Sequence, residues 1–194
     1  MSRLQTFCGD QNGSAVVEFA MIAPVLLMTL AGVLDMGYNY YAQAQLQGAV
    51  QRVARLSTVE GAEFRHEDLD MAVRNAVHQI VPDAELDISR SSYANFSDIA
   101  QPEDFTDVDN DGSCNDGEPF EDANGNGVWD EDRGSAGFGS ARDAVLYVVN
   151  VTYPRAFGAG GLIGLPDVAT SASTVLRNQP FGEQAERSGV GHCA

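Results

Sequence analysis

The sequence has no lysine, and its 11 basic residues, all arginine, are outnumbered by 28 acidic residues. A nucleic-acid-binding protein needs a basic surface to neutralise phosphates, and the net charge of −17 argues strongly against one. A Walker-type phosphate loop needs a lysine, so the absence of lysine excludes this motif. The three cysteines and three histidines do not have zinc-site spacing, and no catalytic motif of a hydrolase is present. We therefore expect a protein that is not an enzyme.

The negative charge is concentrated in one segment. Residues 103–132 contain 12 acidic residues and no basic residue, which leaves 16 acidic residues and 11 arginines in the rest of the chain. Such a concentration indicates a local cation site rather than general solubilising charge. The hydrophobic content of 44% is enough for a folded core.

The first 34 residues contain a long apolar run. Ser14–Leu34 has a single charged residue, Glu18, and a helix of this length spans about 30 Å, the thickness of a bilayer's hydrocarbon core. Pro24 is tolerated in a membrane helix. A secretory signal peptide cut after Ala44 is the alternative, but the run is longer than a signal-peptide core and ends ten residues before that cut. The run therefore predicts a single membrane-spanning helix.

The one charge in this run lies in a recognisable context. Gly13 is followed by four residues and then by Glu18 and Phe19, which resembles the processing site of type IV pilin-like proteins of the Flp branch. The resemblance implies that prepilin peptidase cuts between Gly13 and Ser14. A neighbouring subunit's new α-ammonium group could then neutralise Glu18, which would otherwise be costly in a membrane. The alternative is an unrelated glutamate near the cytoplasmic end of an ordinary anchor.

The charges around the run predict its orientation. The positive charges that precede it are Arg3 and the starting amine, whereas Asp35 follows it and the next arginine is Arg52. This asymmetry favours a cytoplasmic N-terminus and a C-terminal domain on the far side of the membrane. Together with the pilin-like leader, which implies a bacterial protein, it predicts a single-pass protein of the inner membrane with a periplasmic C-terminal domain.

Helical periodicity continues beyond the membrane run. Apolar residues recur every three or four positions to Leu56, which predicts one helix over Ser14–Leu56, and a second stripe predicts a helix over Glu67–Val81. Alternating apolar residues predict strands around Leu86 and Ile88, over Val145–Tyr153 and over Asp167–Leu176. Residues 89–101, 134–139 and 158–161 are expected to be loops or connectors.

These elements predict an α+β fold, and the resemblance at Gly13, Glu18 and Phe19 implies a type IV pilin-like organisation. A long N-terminal transmembrane and amphipathic helix packs on a small antiparallel sheet, and the acidic segment is an insert. The expected parts are a leader (1–13), a transmembrane helix (14–34), an amphipathic helix with the second helix and first strand (35–101), a calcium-binding insert (102–133) and C-terminal strands with a tail (134–194).

The first half of the insert matches the twelve-residue calcium loop of EF-hands. Oxygen ligands occur at positions 1, 3, 5, 7, 9 and 12, and Gly112 provides the sharp turn at position 6. The predicted ligands are Asp107, Asp109, Asp111, the carbonyl of Ser113, Asn115 and Glu118. Cys114 at position 8 departs from the motif, and a solvated acidic loop is the alternative.

A second copy of the loop follows directly. It keeps the ligand pattern as far as position 9, but Arg133 occupies position 12, so Asp132 or water would have to complete the coordination. The predicted ligands are Asp122, Asn124, Asn126, the carbonyl of Val128, Asp130 and Asp132. We expect one structural Ca²⁺ in the first loop and allow a second, weaker one here, without the flanking helices of a calcium sensor.

Two cysteines fall on the exported side. Cys114 and Cys193 form an even pair in an oxidising compartment, so a disulfide between them is predicted, whereas Cys8 lies in the leader and stays reduced.

Together these features resemble the TadE-like family. The residues that carry the resemblance are Gly13, Glu18 and Phe19, Pro24, the insert ending at residues 124–130, and the late segment 175–181. The resemblance spans most of the mature chain and implies a TadE- or TadF-type minor pseudopilin of the tight-adherence (Flp) pilus. It also implies prepilin peptidase, other pilin and pseudopilin subunits and the inner-membrane assembly platform as partners, and no catalysis.

Two other functions are alternatives to a pseudopilin. A signal-anchored periplasmic calcium-binding adhesion module would keep its leader and would not respond to changes at Gly13. A secreted hydrolase stabilised by calcium is a poor fit, because no catalytic constellation is present.

Overall fold

The computed structural model describes residues 12–57, 66–157, 159–162, 164–178, 183 and 189–194. The chain divides into two compact units. The first comprises Met1–Tyr41 and Pro154–Val168, and the second comprises Ala42–Tyr153 and Ala169–Ala194. Each unit is described separately.

A single long helix begins the described chain. Helix α1 covers Asn12–Ser57, 46 residues, and continues through Pro24 without interruption. The prediction of one helix from Ser14 to Leu56 is confirmed. At 1.5 Å per residue this helix is about 69 Å long, more than twice the thickness of a hydrocarbon core.

The two ends of α1 have different surroundings. From Val16 to Leu34 the large apolar side chains are exposed, for example Phe19 at 65% and Val33 at 67%. From Ala42 onward one face is buried in the second unit at spacings of one, three and four residues: Ala42, Leu46, Ala49, Val50, Val53 and Ala54. Only the C-terminal part of α1 therefore behaves as an ordinary amphipathic core helix.

Helix α2 covers His66–His78, and its Leu69, Val73 and Val77 are buried. The predicted end at Val81 is three residues too late. Pro82 disfavours helical geometry at the residue before it, and residues 79 and 80 form a turn in place of the last helical turn. His78 Nε2 lies 3.0 Å from the carbonyl oxygen of Ala84, across this turn.

The main sheet has four strands in the order β3-β1-β4-β5. Strand β1 covers Glu85–Tyr93, β3 Ser135–Ala136, β4 Ala144–Tyr153 and β5 Val168–Arg177. Strand β1 pairs antiparallel with both β3 and β4, with Leu86 opposite Val151. Alternate residues of β4 are buried as predicted: Val145, Tyr147, Val149, Val151 and Tyr153. The α+β class with a small antiparallel sheet is confirmed.

Helices and sheet form the core of the second unit. A small apolar cavity is lined by residues of α1, the α2 turn, β4 and β5: Ala42, Leu46, Val77, Ile80, Val81, Val151, Tyr153 and Thr170. The buried stripe of α1 thus packs together with the sheet, as the sequence predicts.

Strand β1 is longer than the sequence indicated. Residues 89–93 were expected to begin a loop, but they continue the strand, and Ser91 and Ser92 pair with β3 on one side and β4 on the other. Ladder hydrogen bonds on both sides outweigh the weak strand preference of serine.

A second, two-stranded sheet was not predicted. Strand β2, Pro119–Asp122, lies in the insert and pairs antiparallel with β6, Gly189–His192. Gly191 lies opposite the buried Phe120, and a Cβ atom at residue 191 would collide with the Phe120 ring. Both strands have four residues, and β6 contains two glycines, so neither shows the usual strand pattern. The expected connector at 158–161 also contains a single helical turn, α3, Ala159–Leu162.

Candidate functional site

The N-terminal features lie on the exposed part of α1. Gly13 and Ser14 are in its first turn, where only the backbone is described, and Glu18 is exposed. Of the described helices, only the one over Ala15–Arg55 is long and apolar enough to cross a membrane, and its most apolar stretch contains no buried residue. This single N-terminal apolar helix suggests a membrane anchor.

The first acidic loop folds around its own backbone amides. Asp107 accepts hydrogen bonds from the N–H groups of Asp111 (3.2 Å) and Gly112 (3.0 Å), and Asp109 also accepts from Asp111 (3.1 Å). Asp111 accepts from Ser113 N–H at 2.7 Å. Asn110 and Gly112 have positive φ angles, 63° and 80°, which curl the chain tightly.

The carboxylates of this loop converge. One ligand oxygen from each of Asp107, Asp109 and Glu118 lies within 4.8 Å of the others. The Asp111 amide lowers the pKa of Asp109, but desolvation and the nearby carboxylates of Asp111, Glu118 and Asp107 outweigh it, so this pKa is raised overall. A divalent cation would relieve this repulsion.

Glu118 closes the first loop from its far end. It is 5% exposed, and its two carboxylate oxygens accept hydrogen bonds from the N–H groups of Val108 (2.5 Å) and Asn115 (3.5 Å). Those residues hold positions 2 and 9 of the loop. Asn115 Oδ1 is buried and has no hydrogen-bond partner among the described residues. An unpaired buried oxygen of this kind is suited to a cation or to a water bound to one.

The second loop repeats this arrangement. Asp122 accepts from the N–H groups of Asn126 (3.1 Å) and Gly127 (3.0 Å), Asn124 accepts from Asn126 (3.0 Å), and Asn126 accepts from Val128 (2.7 Å). Gly125 and Gly127 have positive φ angles at positions 4 and 6, as Asn110 and Gly112 do in the first loop.

A glutamate outside the second loop supplies its closing carboxylate. Glu103 is 1% exposed, and its two oxygens accept from the N–H groups of Ala123 (2.8 Å) and Asp130 (3.1 Å), which hold positions 2 and 9. Glu118 makes the same two contacts in the first loop. Glu103 precedes its loop by 19 residues, so a motif search that runs forward from Asp122 could not find it.

The residues after the second loop have other partners. Asp132, predicted to complete the coordination, accepts hydrogen bonds from the hydroxyl of Tyr93 (2.9 Å) and the N–H of Gly134 (3.1 Å). Arg133, at position 12, donates to the Pro102 carbonyl and pairs with Asp104 at 2.9 Å.

Aromatic packing holds the two loops together. Trp129 donates its indole N–H to the carbonyl of Glu103 (2.8 Å) and packs edge-on against Phe105, with 5.8 Å between ring centroids. The backbone of Phe105 also forms an antiparallel bridge with the buried Phe120 of β2. The insert therefore has its own small core.

A disulfide joins the insert to β6. Cys114 and Cys193 are bonded, with Cα atoms 5.3 Å apart, inside the range that a disulfide requires. The N–H of Cys193 donates to the Glu118 carbonyl (2.8 Å), and the N–H of Gly117 donates to the Cys193 carbonyl (3.1 Å). The bond therefore fixes the residue that closes the first loop.

Comparison with known proteins gives one family. Residues 13–55 match the family model described as TadE-like protein. No curated protein and no solved structure matches the chain significantly. The resemblance was expected over most of the mature chain, whereas the match extends over α1 alone. Within residues 13–55, the predicted resemblance to the TadE-like family is confirmed.

Proposed function

We propose that this protein is a minor pseudopilin of the tight-adherence pilus system, cleaved by prepilin peptidase between Gly13 and Ser14. The observation that carries the proposal is the TadE-like match over residues 13–55, which includes the exposed apolar part of α1 from Val16 to Leu34. The TadE-like family is associated with tight-adherence pili, and a helix with an apolar surface on all sides is suited both to a bilayer and to a helical bundle.

Glu18 would set the offset along the helix axis between neighbouring subunits. Cleavage after Gly13 would create an α-ammonium group on Ser14, four residues before the exposed Glu18 carboxylate. In a low-dielectric bundle each charge is costly alone, and pairing with the opposite charge of a neighbour offsets that cost. Neighbouring helices would then be offset by about 6 Å, the rise of four residues.

The test is the intact mass of the membrane-extracted protein from its native host. Wild type should lack residues 1–13, and Gly13→Ala should retain them. Gly9→Ala is the matched control, because it changes a glycine of the same leader away from the cut. An uncut wild-type chain would favour the anchored adhesion module, and a mature start at Gln45 would indicate a secreted protein.

We further propose that the exported domain binds calcium in both loops, with Glu118 closing the first and Glu103 the second. Seven-coordinate Ca²⁺ takes oxygen ligands from alternate residues and a bidentate carboxylate. The first loop offers this whole set, and the second offers it together with Glu103. In the first loop the donors are Asp107, Asp109, Asp111, Ser113, Asn115 and Glu118. In the second they are Asp122, Asn124, Asn126, Val128, Asp130 and Glu103.

The role of the ion would be structural. Twelve acidic residues within residues 103–132 repel one another, and two divalent cations would remove a third of that charge. Binding should therefore stabilise the insert and everything attached to it.

Calorimetric titration of the detergent-solubilised full chain with Ca²⁺ and with Mg²⁺ tests this proposal. We expect two Ca²⁺ ions per chain and much weaker Mg²⁺ binding, because Mg²⁺ demands a smaller octahedral site. Limited proteolysis should cut residues 103–132 faster after chelation. No heat of Ca²⁺ binding, with identical cleavage in both states, would contradict the proposal.

A further inference from the structure

An apolar loop follows β4. Residues 156–166, here called the apolar loop, contain only alanine, phenylalanine, glycine, leucine, isoleucine and proline, with Arg155 before them and Asp167 after them. The loop belongs to the same compact unit as the exposed apolar part of α1. Leu165 is 47% exposed and Ala156 is also exposed. Eleven residues without one polar side chain are unusual for a loop in contact with water.

An ion pair fixes this loop to α1. The Arg155 guanidinium donates to Asp35 Oδ2 at 2.6 Å, and its Nε donates to the carbonyl of Pro166 at 3.0 Å. The arginine thus ties both ends of the loop to one residue of the helix. Its side chain crosses Gly160, where a Cβ atom would collide with Arg155 Cδ. The N–H of Leu165 donates to the carbonyl of Gly160 at 2.9 Å, which folds the loop back on itself.

The point of attachment lies where the apolar run ends. Asp35 is the first charged residue after Glu18 and directly follows Leu34. Three tyrosines follow within two turns, and Tyr40 and Tyr41 are 71% and 54% exposed. Tyrosine concentrates at the headgroup level of membranes. If α1 spans a bilayer over 14–34, Asp35 lies at its surface, and the apolar loop is held at the same level.

We propose that the apolar loop is a second membrane contact, resting in the headgroup and upper acyl region of the leaflet where α1 emerges. Pairing with Asp35 neutralises Arg155, the arginine that directly precedes the loop, and so lowers the cost of placing it there. The contact would fix the tilt and rotation of α1, because a helix with one further anchor off its axis cannot turn freely. This inference requires α1 to span the membrane, but it is independent of processing and of calcium.

The test places a fluorophore on the loop. Leu165→Cys in a Cys8→Ser background gives the full chain one reactive thiol, since Cys114 and Cys193 are paired. The NBD-labelled protein is placed in nanodiscs at one copy each, with doxyl groups on the lipids at a shallow or a deep position. Met71→Cys, an exposed apolar position on α2, is the matched control, and Ala156→Cys repeats the measurement if Leu165→Cys misfolds.

We expect blue-shifted emission and at least threefold stronger shallow-doxyl quenching at residue 165 than at residue 71, with weaker quenching by the deep probe. Water-like emission without quenching would overturn the proposal, as would equal quenching at both positions. Blue-shifted emission without lipid quenching, or one that appears only when several copies share a bilayer, would also overturn it. Either of these two results would show that the loop contacts protein rather than lipid.

Discussion

Glu103 and Glu118 hold equivalent places in two successive acidic loops. Each is nearly buried and accepts hydrogen bonds from the amides at positions 2 and 9 of its loop. Glu118 belongs to its own loop, whereas Glu103 reaches the second loop from the strand-like segment that precedes both. The two loops are therefore built alike, although only the first satisfies the linear motif.

This equivalence predicts that Glu103→Gln abolishes or greatly weakens calcium binding at one of the two proposed sites. Loss of an outer-shell partner costs a metal site roughly 10–100-fold in affinity, and loss of a direct bidentate ligand should cost at least as much. Calorimetry should then find one tight Ca²⁺ per chain.

Asp132→Asn is the matched control for Glu103→Gln, because Asp132 was the carboxylate that the sequence pointed to and the structure turns it to Tyr93. We expect this variant to bind two Ca²⁺ ions with nearly unchanged affinity. If instead Asp132→Asn loses the second ion and Glu103→Gln keeps it, the assignment of ligands is reversed.

The disulfide should contribute substantially to the stability of the second unit. Its cysteines are 79 residues apart, and closing a loop of that length stabilises a fold by about 4 kcal/mol in the chain-entropy model. Replacing both Cys114 and Cys193 with serine should therefore lower the free energy of unfolding by about 2–5 kcal/mol in denaturant titrations. Cys8→Ser serves as the control and should have no effect. A double variant as stable as the wild type would show that β6 is held without the bond.

Arg90 links α2 to the sheet and should not tolerate lysine. Its guanidinium pairs with Asp70 and stacks on the rings of Phe138 and Tyr147, 4.7 Å and 4.9 Å from their centroids. Lysine keeps the charge but loses the planar stack, so Arg90→Lys should destabilise the domain by about 1–2 kcal/mol. Arg74→Lys, on an exposed arginine of α2, is the comparison and should cost far less. Equal midpoints for both variants in urea would rule out the stacking argument.

Two tyrosines should make the domain less stable in alkali. Burial raises the pKa of Tyr147, although Arg90 and Arg74 lower it, and burial together with the Asp132 carboxylate raises the pKa of Tyr93. A raised folded-state pKa means that the contribution is fully present below the unfolded value of about 10 and is lost as pH rises through the folded value. Denaturation between pH 9 and 12 should show this fall. Tyr147→Phe should reduce the pH dependence, and an unchanged slope in that variant would refute the assignment.

The periodicity of apolar residues predicted the elements that depend on residues close together in the chain, namely α1 and β4. The apolar run and the stripe to Leu56 gave α1 within two residues at each end, and strict alternation gave β4. These signals depend on helix or strand geometry, which repeats over neighbouring residues.

The features that the sequence did not reveal all depend on contacts between distant residues. Strand β6 exists because it pairs with β2, about 70 residues earlier, and its two glycines carry no signal of their own. In the sequence, nothing distinguishes Glu103 from the other eleven acidic residues of this segment. Only the folded structure brings it into contact with the amides of Ala123 and Asp130. Sequence spacing can identify a candidate ligand within a continuous loop, but it cannot identify one that lies in a separate segment of the chain.

The position of Cys193 also determines when the insert can be completed. During synthesis the loops emerge first, and the cysteine that locks Cys114 follows 79 residues later, behind β4 and β5. If the domain is exported as proposed, Cys114 is until then an unpaired thiol in a compartment that oxidises thiols. The disulfide can therefore form only after strands β4 and β5 have been synthesised. A premature stop codon anywhere in that interval would leave a chain able to cross-link to another through Cys114.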